Sequence, residues 1–304
     1  MKIIFMGTPD FAVPTLNAVI SAGHEVICVV AQPDKPKGRG KKLVSPPTIL
    51  RARELGIPTR QPRAVRKGPF VKWITEANAD LAVVVAYGRI LVPQVLQAPR
   101  LGCINVHASL LPKYRGAAPI HWAVINGEKE TGVCTMQMDE GMDTGDVLME
   151  QRIPIGKNQT TGDLWGKLAD MGAQLLVTTI ENLDQITPQK QDNRLASHAP
   201  LLQKSHGKID WNDTTHTIHN RIRGVNPWPG AWVNFREQKL KIWKAEIAPG
   251  YSGRPGTILS VKKSPIIATH DGAIRLLEVQ LPGKKRGPAI NLINGARLKN
   301  GELL

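Results

Sequence analysis

The chain has 304 residues, with 40 Lys+Arg against 25 Asp+Glu, a formal net charge of +15 and three cysteines. Two domains are expected at that length, with room for a sizeable core. No stretch approaches the roughly 18 apolar residues of a membrane span, and Asp10 arrives too early for a signal peptide, so a soluble cytoplasmic protein without a membrane partner is expected. Cys28, Cys103 and Cys134 each lie in an apolar, strand-like run. Odd in number and widely spaced, they suit neither a disulfide framework nor a zinc site and read as core thiols in a reducing compartment.

Residues 2–6 read as a buried strand that breaks at Gly7-Thr8-Pro9-Asp10 into a helix with Phe11, Leu16, Val19 and Ile20 on one face. Strands follow at 24–31, 57–62 and 81–86, alternating with helices at 47–55 and 65–77. This alternation predicts a parallel, doubly wound α/β sheet of the Rossmann-like class. The first turn has one glycine where a dinucleotide fingerprint uses three, so NAD binding is not supported. Residues 33–47 place five basic side chains among prolines and glycines, with Arg39 at their centre and Lys41 and Lys42 beside it. Such a run cannot be a core element, and its place after the second strand puts it on the ligand-binding side of the sheet.

A strand at 101–107 ends in Asn105-Val106-His107-Ala108-Ser109-Leu110-Leu111-Pro112-Lys113-Tyr114-Arg115-Gly116, answered by Asp143 in Gly141-Met142-Asp143-Thr144-Gly145-Asp146. Asn105 and His107 alternate onto one face near a strand end, where open parallel sheets bind ligands. An amide, an imidazole and a carboxylate supply a fixed donor, a proton carrier and an anion, which suits attack by an amine on a carbonyl-type carbon. Ser109 sits in no nucleophile elbow, so direct transfer without an acyl-enzyme is expected.

A helix at 117–126, strands at 132–138 and 147–154 and a long helix at 160–183 complete a first domain at 1–187. Residues 188–207 are expected to be a linker, since 188–200 are rich in Gln, Asn, Ser and Pro without apolar periodicity. Beyond it, a helix at 214–223 and five short strands between 232 and 279 predict a small antiparallel barrel over 208–304. Trp228 and Trp232, flanking a Pro-Gly corner, are expected in its core, and His216 and His219 as a surface pair. Residues 189–304 hold 19 Lys+Arg against 8 Asp+Glu, net +11, whereas the first 188 residues hold 21 against 17, net +4. Such a depletion of acids favours a polyanion as partner, with Lys284, Lys285 and Arg286 in a basic turn among the candidates.

The string Asn-x-His, Ser-Leu-Leu-Pro-x-Tyr-Arg-Gly and Met-Asp-x-Gly-Asp resembles the folate-dependent formyltransferase family. The resemblance extends over nearly the whole chain. It implies 10-formyltetrahydrofolate as formyl donor, no metal, and a second domain of the oligonucleotide-binding (OB) type. It also implies that Asn105, His107 and Asp143 surround the formyl carbon, with Asn105 donating to the oxyanion, His107 relaying protons and Asp143 holding the useful tautomer of His107 and stabilising its charge. The backbone of Ser109, Leu110, Leu111 and Pro112 would line the folate pocket. The basic insertion at 33–47 resembles that of the members acting on the methionine of charged initiator tRNA in translation initiation. Arg39, Lys41, Lys42, Lys284, Lys285 and Arg286 are accordingly expected to contact tRNA, and the enzyme to be a monomer. Family members that formylate a sugar-nucleotide amine are the alternative, and they need no basic surface. The glycinamide ribonucleotide enzymes are disfavoured by the second domain.

Overall fold

The computed structural model describes residues 1–37, 40 and 42–304. Two compact units emerge, the first made of Met1–Pro119, Thr131–Ile153 and Trp165–Pro200, the second of Ile120–Glu130, Pro154–Leu164 and Leu201–Leu304.

In chain order the first unit has strands β1 (Lys2–Gly7), β2 (Glu25–Val30), β3 (Lys35–Lys37), β4 (Lys42–Val44), β5 (Thr59–Arg60), β6 (Leu81–Val85), β7 (Cys103–His107), β8 (Arg115–Gly116), β9 (Glu130–Gln137), β10 (Val147–Pro154) and β11 (His198–Ala199). Seven of these form one sheet in the order β10-β9-β7-β6-β1-β2-β5. Strands β5, β2, β1, β6 and β7 run parallel. All five residues of β6 and of β7 are buried, as expected of central parallel strands with helices on both faces. The covering helices at Val13–Ser21, Pro47–Glu54 and Pro69–Glu76 each carry proline in the first turn, where its missing N–H is not needed. The sheet departs from the expected parallel arrangement at β9, which runs antiparallel to β7. An antiparallel strand added to a parallel sheet is common, and alternation of elements does not reveal it.

The order reverses at β1, which has β2 on one side and β6 on the other; such switch points open a crevice at the carboxyl ends of the strands. The basic stretch contains a two-stranded ribbon, β3 against β4, with β4 exposed. Arg39 and Lys41 lie outside the described residues.

Residues 188–200 are hydrogen-bonded into the first unit: Gln189 bridges Val147, and β11 pairs in parallel with β8. Their contacts are made by backbone, amide and hydroxyl groups, which explains why the stretch shows no apolar period.

The second unit contributes β12 (Ala231–Phe235), β13 (Gln238–Ile247), β14 (Ile258–Ser260), β15 (Ile266–Ala268), β16 (Ala273–Gln280) and β17 (Gly287–Pro288). They form an antiparallel, barrel-like sheet in the order β12-β13-β16-β15-β14, with β17 on β16. The helix Thr215–Gly224 starts at Thr214, whose hydroxyl accepts from the Thr217 N–H and satisfies one of the orphan donors of the first turn. Its Ile218 and Ile222 enter a core with Trp211, Phe235, Leu240, Ile242 and Leu276. The expected class, a Rossmann-like α/β fold followed by a smaller β fold of the OB-like kind, is the one observed.

Two expectations about this unit are corrected. Trp228 is 48% exposed, and Trp232 is half-buried with the Lys239 ammonium 4.1 Å from its ring. Along β12 the inward positions belong to Ala231, Val233 and Phe235, so alternation turns Trp232 outward. His216 is exposed but His219 is buried, and desolvation followed by the charge of Arg223 pushes its pKa down to about 4.

Candidate active site

Strand β7 ends on His107, and the pleat puts Asn105 and His107 on one face with Val106 on the other. Both polar side chains are buried, at 7% and 6% exposure. A buried imidazole needs partners, and the His107 Nε2 finds the Tyr114 carbonyl at 3.0 Å. Since a carbonyl only accepts, Nε2 carries the proton, and in the neutral ring Nδ1 keeps its lone pair. Nδ1 faces the Asp143 carboxylate, whose Oδ2 is 3.8 Å away, beyond hydrogen-bond length. Of the two roles expected of Asp143, only the holding of the tautomer is corrected: the carbonyl of Tyr114, seven residues along the same motif, selects it. Asp143 is placed to interact with the ring once it is charged.

Asp143 itself is held firmly. Its Oδ2 accepts from the Gly116 N–H at 2.7 Å. Gly116 has φ +120°, and a Cβ there would meet the Ala199 carbonyl oxygen at 2.7 Å, so this donor position requires glycine. Asp143 has φ 54°, a left-handed conformation that short polar residues tolerate best. Gln191 donates through Nε2 to the carbonyls of Asp143 and Gly145, at 2.9 and 2.7 Å. The buried Arg115 donates to the Gln191 Oε1 at 3.0 and 2.7 Å and to the Asn193 Oδ1 at 2.9 Å. The Tyr114 N–H donates to the Ser197 hydroxyl at 2.9 Å. Gln191, Asn193 and Ser197 escaped the sequence reading because their partners are 46–83 residues away and their local composition resembles a loop.

The run 109–112 is anchored beside this site. Ser109 is buried and its hydroxyl donates to the Lys113 carbonyl at 2.7 Å, which commits the hydroxyl to bracing the loop. Leu111 packs on Cys134 and Met136. Leu110 approaches Gly132 so closely that a Cβ there would sit 2.5 Å from the Leu110 Cδ2. Pro112 is half-buried, its carbonyl accepting from the Ser197 N–H at 3.4 Å. A separate open cavity of about 510 Å³, lined by Leu101, Gly102, Gln137 and Asp139 among others, lies at the amino end of β7 and includes none of these residues.

The three cysteines are buried and free, with burial pushing the Cys28 thiol up to about 11 and those of Cys103 and Cys134 up to about 12. Such thiols are inert as nucleophiles near neutrality. No group of three or more His, Cys, Asp or Glu side chains that could hold a metal occurs among the described residues.

Of the candidate RNA contacts, Lys42 is exposed on β4, and Lys284, Lys285 and Arg286 are exposed between β16 and β17. Arg286 is ion-paired with Glu278 and lies 5.1 Å from the Trp243 ring. Lys241 is 5.2 Å from the same ring. This outer face of β12 and β13 therefore presents cations held against indoles.

Comparison with known proteins agrees with the motif. Residues 1–180 match the formyl transferase family, and residues 201–297 match the formyl transferase C-terminal domain. The chain is 47% identical to the methionyl-tRNA formyltransferase of Citrifermentans bemidjiense, over 100% of this chain and 96% of that protein. It is 49% identical to the enzyme of the same name from Geobacter metallireducens, over 99% and 97%. Among solved structures, the sugar 3N-formyl transferase WlaRD, crystallised with dTDP and 5-N-formyl-THF, shares the fold with a TM-score of 0.68. The alignment covers 94% of this chain and 99% of WlaRD at 22% identity.

Proposed function

Because the chain belongs to the formyl transferase family and matches methionyl-tRNA formyltransferases over 96% and 97% of their length, we propose that it formylates the methionine of charged initiator tRNA, with 10-formyltetrahydrofolate as donor. The carrying observation is the buried Asn105–His107 pair on one face of β7 with Asp143 beside the Nδ1 of His107.

The amine nitrogen of the methionyl ester attacks the formyl carbon, and the bond from that carbon to the folate nitrogen breaks. Asn105 donates a hydrogen bond to the oxygen as negative charge develops there. His107 takes the amine proton on Nδ1, the ring atom left with a lone pair, and returns it to the departing folate nitrogen. Asp143 stabilises the imidazolium between these two transfers. A pair of opposite charges a few ångströms apart attracts more strongly in a partly buried site than in water, so burial of His107 strengthens this effect. The backbone of Ser109, Leu110, Leu111 and Pro112 lines the folate pocket, held in place by the Ser109 hydroxyl and by Leu111.

Catalysis belongs in this reading to residues 1–187 and RNA binding to residues 208–304 together with the basic stretch 33–47. Arg39, Lys41, Lys42, Lys284, Lys285 and Arg286 contact tRNA phosphates, which position without reading sequence. The enzyme works as a cytoplasmic monomer and its chemistry calls for no metal. No helix among the described residues is long and apolar enough to cross a membrane.

The test offers the protein 10-formyltetrahydrofolate with charged initiator tRNA, charged elongator tRNA or a UDP-amino-sugar and measures which acceptor gains the formyl group. Formylation of initiator methionyl-tRNA is expected. Transfer to the sugar amine instead would overturn the assignment.

A further inference from the structure

Three consecutive residues after the catalytic strand hold the site in different ways: the Tyr114 carbonyl fixes His107, the Gly116 N–H fixes the Asp143 carboxylate, and the Arg115 side chain between them reaches Gln191. Arg115 is 6% exposed and spends its guanidinium on two neutral amides, Gln191 and Asn193. A buried cation is costly and is retained only with several good hydrogen bonds. Its contact with the Gln191 Oε1 is made from two nitrogens, which leaves the Gln191 Nε2 pointing the other way. That nitrogen donates to the carbonyls on both sides of Thr144, those of Asp143 and Gly145.

The loop so held needs holding. Asp143 is in the left-handed region, which costs an ordinary residue about 1 kcal/mol or more and persists only when neighbours over-determine it. A Cβ on Gly145 would lie 1.8 Å from the Gln137 carbonyl oxygen, so the backbone here is pressed against β9. The other side of the loop is tied by Asp139, whose carboxylate accepts from the Gly141 N–H at 3.1 Å and the Thr144 hydroxyl at 2.7 Å. Asp139 ties the approach to Asp143, whereas Gln191 is the side chain that grips the Asp143 peptide itself.

We infer that Gln191 is a positioning residue for formyl transfer: oriented by buried Arg115, its amide N–H group clamps the Asp143 backbone so that the carboxylate faces the Nδ1 of His107. The inference rests on Asp143 acting in the reaction.

Gln191→Glu separates the clamp from mere packing. The new side chain has the same shape and offers Arg115 a carboxylate in place of the amide oxygen, but it presents an acceptor to two carbonyls that need a donor. Misplacing a catalytic group by about 1 Å costs on the order of 10²-fold in rate. Gln191→Glu is therefore expected to lower kcat by about 10- to 100-fold while KM for methionyl-tRNA and for the folate stays within about twofold. A second measurement shows whether the loss runs through Asp143. In an Asp143→Asn background, which keeps a residue tolerant of the left-handed conformation but removes the charge, adding Gln191→Glu should cost less than about twofold further, because residues acting as a unit are non-additive.

Near wild-type turnover by Gln191→Glu would overturn the inference, as would the same loss in both backgrounds. A rise in KM with kcat unchanged would also overturn it. If Asp143→Asn alone turned over normally, the catalytic reading of Asp143 would fall first, an outcome distinct from an inactive Asp143→Asn paired with an active Gln191→Glu.

Discussion

The His107 corner and the basic turn between β16 and β17, the two regions to which the proposed function gives chemistry and RNA contact, are built in opposite ways. At His107 the polar groups are committed: Nε2 to Tyr114, the Asp143 carboxylate to Gly116, the Arg115 guanidinium to Gln191 and Asn193. In the turn, Lys284 and Lys285 stand in water, and Arg286 leans on Glu278 and Trp243. Proton transfer needs atoms fixed within fractions of an ångström, which burial and hydrogen bonds supply. A phosphate backbone needs charge more than geometry, since release of its counterions drives binding.

The largest effect should come from breaking the fixed side. His107→Ala removes the proton carrier and is expected to lower the single-turnover rate by about 10² to 10⁴, with tRNA affinity nearly unchanged. Asp143→Asn should fall short of that, because Nε2 of His107 keeps its tautomer through Tyr114; rapid-quench rates of the two variants would show the ranking. If Asp143→Asn were the more damaging, the carboxylate and not the Tyr114 carbonyl would be setting the ring.

The Asn105–His107 pair was legible in the sequence because a strand's period of two is local, and the motif that follows it is long. The doubly wound sheet was legible for a related reason: apolar runs alternate with helix patterns. Gln191 was not, since nothing in a Gln- and Asn-rich stretch tells that one amide meets a carbonyl 46 or 48 residues earlier. Antiparallel β9 was invisible because an apolar strand reads the same in either direction. The misplacement of Trp232 has a simpler origin: its place at a Pro-Gly corner pointed to the core, while alternation with Ala231, Val233 and Phe235 pointed outward and prevailed.

A smaller, pH-dependent effect concerns the second unit. Burial lowers the pKa of His121 and of His219 from 6.5 to about 4. Each ring is neutral in the folded protein, while the unfolded chain takes up its proton as pH falls through 6.5. Between about 6.5 and 4 the unfolded state thus binds more protons, and stability should drop as pH is lowered. The slope contributed by each histidine is at most about 1.4 kcal/mol per pH unit. Urea titrations between pH 7 and 5 would measure it, and a flat stability across that range would show that these rings are not buried neutral.

The smallest effect sharpens the exposed side. Replacing Lys284 and Lys285 with glutamine should reduce the dependence of log affinity for tRNA on log salt by up to about 0.9 for each phosphate that the variant no longer neutralises. Arg286→Gln should change that slope less, since its charge is already met by Glu278. Filter-binding titrations at several salt concentrations give the slopes. A larger change from Arg286 than from the two lysines would mean that the ion pair opens on the RNA.

The proposed separation of chemistry from RNA holding is tested in one experiment: single-turnover formylation of limiting charged initiator tRNA at rising concentrations of wild type, His107→Ala and the Lys284/Lys285 double glutamine variant. The expected result is that His107→Ala lowers the plateau rate with the half-saturating concentration unchanged, whereas the lysine variant raises the half-saturating concentration and reaches the wild-type plateau. An unaltered plateau for His107→Ala would contradict the account.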